Sequence, residues 1–548
     1  DGTVVRTGIA APAPGEAEPR SQLDALIDAV LALGHPPVRQ IWNDLLPEHL
    51  PFTAADAMRR TPGYERAPGR LVLLGAADDP ANQRQHAAVV DLESGGGLLV
   101  LGTGGSGKTT ALRTVAASAA IDDQRAGGGR VAIVVLDFSS GELRGLRALP
   151  QVAGVGSLDD LEATTRIIET LDAEVGRRRS AAADGGHHDD QPRILLLVDG
   201  YANLVDALQS SRGGQEQMSD QWLDSFHRVV LDGRQLGVHT VLTADRAGSV
   251  RNAVFASMTQ RVVLRQPDPA ETKSLGIPAT DTFAPGAGYL DGLRIQVATL
   301  DPPGSGDPDA ALRAFAGILD LPRPHLLAPA LPDEIRRPAT STSDGWRGVV
   351  GIADISGQPV EFDLSSLDVL VTGPPLSGKS WALRSMAEQL EAAGRAVYAI
   401  GAEDSGLRAF PWKAAAWGLA DIEGLIGSMK AELAFPGGEA VQVVDDLDLL
   451  EGMAFDTAMA GLGTNRSVRM LGSTTSFGYS NNEVVKRIRA ARQVLHLQPG
   501  SAREVAETIG VMRLPLLRLG LPFPPGRGMF VRNRVPTVVQ VHLPDDTS

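Results

Sequence analysis

The chain is predicted to be α/β: two tandem domains, each a mainly parallel sheet flanked by helices. Three observations predict this. Short runs such as VAIVVLDF (131–138) and LLLVD (195–199) are continuously apolar, as in strands buried on both faces. They alternate with helical patterns, which argues for parallel strands joined by right-handed crossovers. The series then occurs twice, its copies roughly 270–290 residues apart, so a domain has been duplicated.

Length and composition set the outer bounds. The 548 residues are 43% hydrophobic and 21% charged, which is ordinary globular composition. Cysteine is absent, which excludes disulfide frameworks, thiolate metal sites and cysteine nucleophiles. The net charge of −15 argues against nucleic acid as the partner. There is no run of 18 apolar residues and no basic-then-apolar leader. The first residue is Asp1, so the chain is expected to be a piece of something longer.

In chain order, Asp1-Gly-Thr-Val-Val-Arg resembles Asp291-Gly-Leu-Arg-Ile-Gln, and the stretch 16–50 mirrors 305–335. Each of these stretches reads as a helix, then a proline-rich connector ending in Leu-Pro-acid. Residues 1–52 are therefore expected to be the tail of a preceding domain plus its linker. The first full domain is placed at 53–304, a second linker at 305–340, and the second domain at 341–548. Within the two copies Gly75 matches Gly351, Asp91 matches Asp363, and Lys108 matches Lys379. The first copy is the longer one, chiefly through loops 122–129 and 180–192.

The chemistry lies in two glycine-rich loops. Gly102-Thr-Gly104-Gly105-Ser106-Gly107-Lys108-Thr109 and Gly373-Pro-Pro375-Leu-Ser377-Gly378-Lys379-Ser380 both fit G-x-x-x-x-G-K-[ST]. Such a loop turns backbone N–H groups toward a phosphate, and the helix that follows aims its positive end at the same place. Both loops are therefore read as ATP sites of the P-loop NTPase fold, with Thr110 and Trp381 opening the helices. Lysine is scarce, with only Lys108, Lys273, Lys379, Lys413, Lys430 and Lys486 present. Two of the six fall in these loops. Lys108 and Lys379 are assigned to the phosphates, and Thr109 and Ser380 to Mg²⁺. Asp199 and Asp445 each end an apolar run, where a bare carboxylate is costly without a cation, so they are the other Mg²⁺ ligands. A motor of this fold usually carries an acid next, to polarise the attacking water. Gly200 follows at the first site and Asp446 at the second. Asp446 is thus the catalytic candidate, and the first site is expected to bind ATP but hydrolyse it poorly.

Other features leave alternatives open. Thr243, Ser473 and Thr474 read equally as γ-phosphate sensors or as strand-end caps. Arg246, Arg261 and Arg265 are arginine-finger candidates. The run His187-His188-Asp189-Asp190 reads as a solvated loop in preference to a metal site. Arg177-Arg178-Arg179 reads as a solvated helix end.

LLGAADDPANQRQ (73–85), the two loops, VVLDFSSGEL (134–143), LLLVDGYANL (195–204), DGRQLGVHTVLTADR (232–246), VVDDLDLL (443–450) and PPGRGMFVR (524–532) resemble the EccC-type, FtsK/SpoIIIE-like ATPases of type VII (ESX) secretion systems. The resemblance covers nearly the whole chain. It implies RecA/FtsK-like domains, corresponding to the second and third of three tandem ATPase domains. It also implies a cytoplasmic motor, tethered to the inner membrane by a part of the parent absent from this sequence. Implied partners are helical-hairpin substrates of the WXG type docking a C-terminal signal on the last domain, other membrane components of the ESX machine, and further copies in a hexamer. The proline-bearing loop at Gly373 departs from the family's usual text. Two other readings compete: a DNA translocase of the FtsK type, and a scaffold with vestigial cradles.

Overall fold

In the computed structural model, residues 21–34, 43–60, 67–185, 191–210, 219–266, 268–277, 283–301, 307–321, 323–324, 326, 331–336, 345–412, 414–450, 452, 457, 465–475, 486–488, 490–500 and 523–544 are described. The elements begin with α1 (Gln22–Ala32), β1 (Leu50–Pro51) and α2 (Phe52–Met58). A first α/β series follows: β2 (Leu71–Asp79), β3 (Arg84–Asp91), β4 (Leu98–Leu101), α3 (Lys108–Arg125), β5 (Val131–Asp137), β6 (Val152–Ser157), α4 (Leu161–Ala183), β7 (Arg193–Asp199), α5 (Tyr201–Ser210), α6 (Ser219–Asp232), β8 (Val238–Ala244), α7 (Asn252–Ser257), β9 (Gln260–Leu264), α8 (Pro269–Ser274), β10 (Ala287–Leu290) and β11 (Leu293–Thr299). After α9 (Pro308–Ala316) and β12 (Ile335–Arg336) comes the second series: β13 (Arg347–Ala353), β14 (Pro359–Asp363), β15 (Val369–Thr372), α10 (Lys379–Ala392), β16 (Ala396–Gly401), β17 (Ala414–Trp417), α11 (Leu419–Leu433), β18 (Ala440–Val444), α12 (Leu447–Leu450), β19 (Val468–Thr474), β20 (Gln493–Leu497), β21 (Arg527–Arg532) and β22 (Val535–Leu543).

The two sheets have the same strand order. The first runs β3-β2-β11-β10-β9-β4-β8-β7-β5-β6, with β1 added beside β11. The second runs β14-β13-β22-β21-β20-β15-β19-β18-β16-β17, with β12 added beside β22. In the first sheet the strands from β9 to β6 are parallel. The strands from β3 to β10 form an antiparallel half, joined to β9. The fold class is as predicted, but this antiparallel half was not: strand pairing across some 220 residues leaves no local periodicity to read.

Each sheet is covered on both faces. In β4, Val100 faces a core with Ala111, Leu112, Val115 and Ala116 of α3, while Leu99 and Leu101 face α4 and α6. Alternation of side chains along a strand makes both faces apolar. In β15, Val369 and Val371 pack under α10, and Leu370 faces Ile422 and Leu425 of α11. The alanine-rich α3 has no charged face to offer water; it is buried along nearly its whole length.

The matched glycines have a steric cause. A Cβ on Gly75 would lie 1.9 Å from the Gln296 carbonyl oxygen, and one on Gly351 2.0 Å from that of Gln540. Both positions adjoin a register shift in the β2–β3 or β13–β14 pair. The connectors are equivalent too. Gln296 donates from Nε2 to the Glu48 carbonyl, and Gln540 to the Asp333 carbonyl. These are the acids of the two Leu-Pro-acid sequences. The stretch 305–340 is not free linker throughout: Leu312, Ala316 and Leu319 join the first core, and β12 joins the second sheet. Ser21 and Asp307 cap α1 and α9 at corresponding positions. Yet Leu23, Leu26, Val30 and Leu31 of α1 are exposed.

A buried ion network ties α2 to α3. Arg59 donates to Asp56 (2.8 Å) and Asp122 (2.8 Å), and Arg125 donates to Asp56 (2.8 Å). Burial works against the Asp56 charge, but Arg125 and Arg59 prevail and hold its carboxyl well below the usual range. Among the described residues, no helix is long and apolar enough to cross a membrane.

Candidate functional site

The two glycine-rich loops lie where β4 and β15 end and α3 and α10 begin, at the carboxyl ends of the parallel strands, the usual place for ligands in such sheets. In the first loop Gly105 and Gly107 have φ of 68° and 105°. In the second, Leu376 and Gly378 have 65° and 97°. The backbone turn is thus the same, although Leu376 sits in the left-handed region that glycine favours. Its side chain points into solvent, 93% exposed. Each loop is pinned from the antiparallel half. The Gly286 N–H donates to the Ser106 carbonyl (2.9 Å), and the Gly526 N–H to the Ser377 carbonyl (2.8 Å). The first loop is also held by its neighbours: Gly102 donates to Ala244 and Thr103 to Arg265.

Beneath each loop lies the same three-residue arrangement. At the first site Asp199, wholly buried at the end of β7, accepts from the Thr109 hydroxyl (2.7 Å) and the Thr243 hydroxyl (2.6 Å). The Gly200 N–H donates in turn to Thr243 Oγ1 (2.9 Å). At the second, Asp445, the residue after β18, accepts from Ser380 (2.8 Å) and Ser473 (2.6 Å), while the Asp446 N–H donates to Ser473 Oγ (2.8 Å). Asp445 has a third donor, Ser405 Oγ (2.7 Å). Burial pushes the Asp199 carboxyl up from its ordinary value, against the lowering effect of the two hydroxyls. A carboxylate and a hydroxyl on one side of a cradle are hard oxygen donors, the set that Mg²⁺ takes. Thr109, Asp199, Ser380 and Asp445 therefore fit that ion.

The lysines sit among acceptors. Lys108 Nζ donates to the Gly102 (2.6 Å) and Thr103 (3.0 Å) carbonyls and pairs with Asp245 Oδ1 at 2.9 Å. Lys379 Nζ reaches the Pro374 carbonyl (3.4 Å) and pairs with Asp446 Oδ1 at 3.6 Å. Burial first, then the neighbouring Asp445 charge, raises the Asp446 pKa, with Lys379 opposing. Asp446 has a left-handed φ of 45°, as Gly200 does at 81°. Of the other loop residues, Gly104, Gly105 and Pro375 are exposed, and Ser106 and Ser377 are buried. Thr110 is half-buried on α3. Trp381 is 49% exposed, edge-on to Phe410 with ring centroids 5.3 Å apart.

The family model of FtsK/SpoIIIE matches residues 75–299, which hold the first cradle, its aspartate and the first sheet from β3 to β11. The chain is also homologous to type VII secretion ATPases named EccC and EssC. It is 27% identical over 392 residues to the ESX-4 secretion system protein EccC4 of Mycobacterium tuberculosis, which covers 67% of this chain and 29% of that one. It is 26% identical over 407 residues to the ESX secretion system protein EccC of Thermomonospora curvata, covering 67% and 30%. The chain thus spans less than a third of these relatives. Among solved structures, the cytoplasmic domain of the Thermomonospora curvata type VII secretion ATPase EccC has TM-score 0.66 and 21% identity, covering 97% of this chain and 68% of that one. ATPases 2 and 3 of the same organism's EccC, solved with a signal sequence peptide, have TM-score 0.62 and 20% identity, covering 89% and 95%. At such identity these two structures establish the fold.

Several residues singled out in the sequence have partners that the sequence did not show. Thr243 and Ser473 each donate to the strand-end aspartate and accept from the N–H that follows it. Thr474 instead donates to Asp448 (2.8 Å). Arg261 is tied to the Phe255 and Met258 carbonyls, and its guanidinium lies 3.8 Å from the centroid of the Phe255 ring. Arg265 donates to the Gly104 carbonyl of the loop (3.1 Å), and Arg246 lies 3.8 Å from Glu271. Arg178 is not a solvated helix end: it is buried and donates to the Leu236 (2.9 Å) and Pro192 (2.8 Å) carbonyls. The run 187–190 lies outside the described residues, and no metal-binding cluster occurs among those described. Sequence reasoning missed Asp245 and Ser405. The spacing of Asp245, two residues beyond Thr243, was the available signal.

Proposed function

We propose that the chain is the ATP-binding part of a type VII secretion motor. Its two sites bind Mg·ATP, receive or regulate small helical substrates, and hydrolyse slowly. The observation that carries this reading is the duplicated arrangement of loop hydroxyl, buried aspartate and second hydroxyl beneath a lysine-bearing phosphate loop. Gly102, Gly104, Gly105, Ser106, Gly107, Lys108, Thr109 and Thr110 would line the first triphosphate site. Gly373, Pro375, Ser377, Gly378, Lys379, Ser380 and Trp381 would line the second. Thr109 with Asp199, and Ser380 with Asp445, would hold Mg²⁺, which neutralises phosphate charge. The division into 1–52, 53–304, 305–340 and 341–548 belongs to the same proposal. The exposed apolar stripe of α1 supports assigning 1–52 to a preceding domain.

Homology to EccC and EssC supports the secretion role, and the relative solved with a signal sequence peptide supports a peptide-bearing substrate as partner. Placement on the cytoplasmic face, tethering at the inner membrane and hexameric assembly complete the reading. Slow hydrolysis is supported at the first site by Gly200 and at the second by Asp446, whose carboxylate pairs with the phosphate-binding lysine. Titration with a fluorescent ATP analogue tests the reading. Binding should tighten at least tenfold when Mg²⁺ is added, and saturable binding indifferent to Mg²⁺ would contradict it.

A further inference from the structure

The two sites bring a carboxylate to the lysine from different strands. At the second, Asp446 follows the β18 aspartate and pairs with Lys379. The first cannot do this. A Cβ on Gly200 would lie 2.8 Å from the Phe138 carbonyl oxygen, and the residue has a left-handed φ of 81°. A side chain here would need both the left-handed backbone and a shift of the Phe138 carbonyl. The carboxylate at Lys108 comes instead from Asp245, the residue after β8, at 2.9 Å. In register, Leu101 lies beside Ala244 in the first sheet and Thr372 beside Thr474 in the second. The counterpart of Asp245 is therefore Thr475, whose amide and hydroxyl are taken by Asp448. Acid and non-acid have changed places between the two strand ends.

β8 lies between β4, which carries the phosphate loop, and β7, which carries Asp199. Thr243 and Asp245 are two residues apart, so their side chains leave the sheet on the same side. Thr243 reaches the aspartate and Asp245 reaches the lysine. Any group that Lys108 grips in the cradle is thus within a few ångströms of the Asp245 carboxylate. We propose that Asp245 is the catalytic carboxylate of the first site and supplies what Gly200 lacks. The inference rests on the reading of this site as an ATP site.

In the nucleotide-free state Asp245 and Lys108 neutralise each other. When the triphosphate takes the lysine, the carboxylate is released toward the water that attacks the γ-phosphorus. A water O–P bond forms and the bond from the γ-phosphorus to the β,γ-bridging oxygen breaks. The water proton passes to Asp245 and from there to solvent. ADP and inorganic phosphate are the products. Competition of the carboxylate for Lys108 in every cycle accounts for a slow turnover.

The test uses the full chain carrying Lys379→Ala, which silences the second site. ATP affinity and single-turnover phosphate release are compared with Asp245, Asp245→Asn and Asp245→Glu. Removal of a general base costs ~100-fold or more. Asp245→Asn should therefore lower the single-turnover rate at least ~100-fold while ATP binds as tightly or more tightly. Asp245→Glu should recover part of the rate. An unchanged rate in Asp245→Asn, a loss of rate that tracks a loss of ATP binding, or no turnover even with Asp245 present would overturn the assignment. Failure of the chain to bind ATP at all would overturn the underlying reading as well, and equilibrium binding separates that case from the others.

Discussion

Thr243→Val isolates the hydroxyl that holds the buried aspartate, with almost no change in shape. Two bonds are lost: the 2.6 Å donation to Asp199 Oδ1 and the 2.9 Å bond accepted from the Gly200 N–H. A hydrogen bond to a charged group contributes about 1.5–3 kcal/mol, and an orphaned buried N–H costs about 1–3 kcal/mol. Folding stability should fall by roughly 2.5–6 kcal/mol if neither group finds water. The functional effect is a fraction of this. Burial already pushes Asp199 toward its protonated form, and Thr243 is the first of the groups that oppose it. Without the hydroxyl, burial is less opposed and the charged carboxylate that Mg²⁺ needs is less favoured. Loss of the first bond alone corresponds to roughly 10–100-fold weaker Mg·ATP binding, at about 1.4 kcal/mol per tenfold. Calorimetric titration of ATP at several Mg²⁺ concentrations and pH values reads this directly, in the Lys379→Ala background. The weakening should grow as pH falls, because the upward shift of Asp199 favours its protonated form. Thr243→Ser should behave as the parent, since Ser473 makes the same two bonds at the second site. Parental affinity and parental Mg²⁺ dependence in Thr243→Val would refute the role given to this arrangement.

Gly200→Asp, which restores the usual acid to the sequence, should not raise hydrolysis. It should lower stability by roughly 1–3 kcal/mol through its left-handed backbone and the Phe138 carbonyl, measured by urea unfolding. Arg59→Met should destabilise the chain by about 3 kcal/mol, because Asp56 and Asp122 lose their buried partner and keep only the more exposed Arg125. His227 gives a pH dependence. Arg251 Nη1 donates to its Nδ1 (2.9 Å), so the ring is neutral and its Nε2–H faces the Tyr201 hydroxyl (2.9 Å). Burial, then the Arg251 charge, lowers its pKa from 6.5 to about 4. The unfolded chain therefore binds the extra proton between those values, and stability should fall as pH drops from 6.5 toward 4. The loss should be about 2 kcal/mol after allowance for screening, and it should vanish in His227→Gln. Duplex DNA should bind weakly in filter assays, given the −15 charge; tight, salt-sensitive binding would favour DNA translocation instead.

The parts legible in the sequence are those set by local pattern. Buried parallel strands read as apolar runs because both faces are covered, and a phosphate loop must spell its glycines and lysine consecutively. The match of Gly75 with Gly351 was visible because one carbonyl approach, repeated, excludes the same side chain twice. The contacts that pin the first loop and its connector were not visible: Gly286 to Ser106, and Gln296 to Glu48, join segments about 180 and 248 residues apart. Asp245 was hidden for a similar reason. Its meaning depends on Lys108 at the start of α3 and on the crowded space at Gly200, neither of which the text TADR contains. Leu376 illustrates the opposite case. The unusual loop text at Gly373 raised doubt, yet the backbone follows the same turn because the glycine-lysine anchor and the Gly526 contact fix it.

Whether both cradles hold nucleotide is read from the stoichiometry of ATP binding. Equilibrium dialysis with ATP and Mg²⁺ should give two sites per chain, one in Lys108→Ala, one in Lys379→Ala and none in the double variant. Unchanged binding in both single variants would contradict the assignment of both cradles.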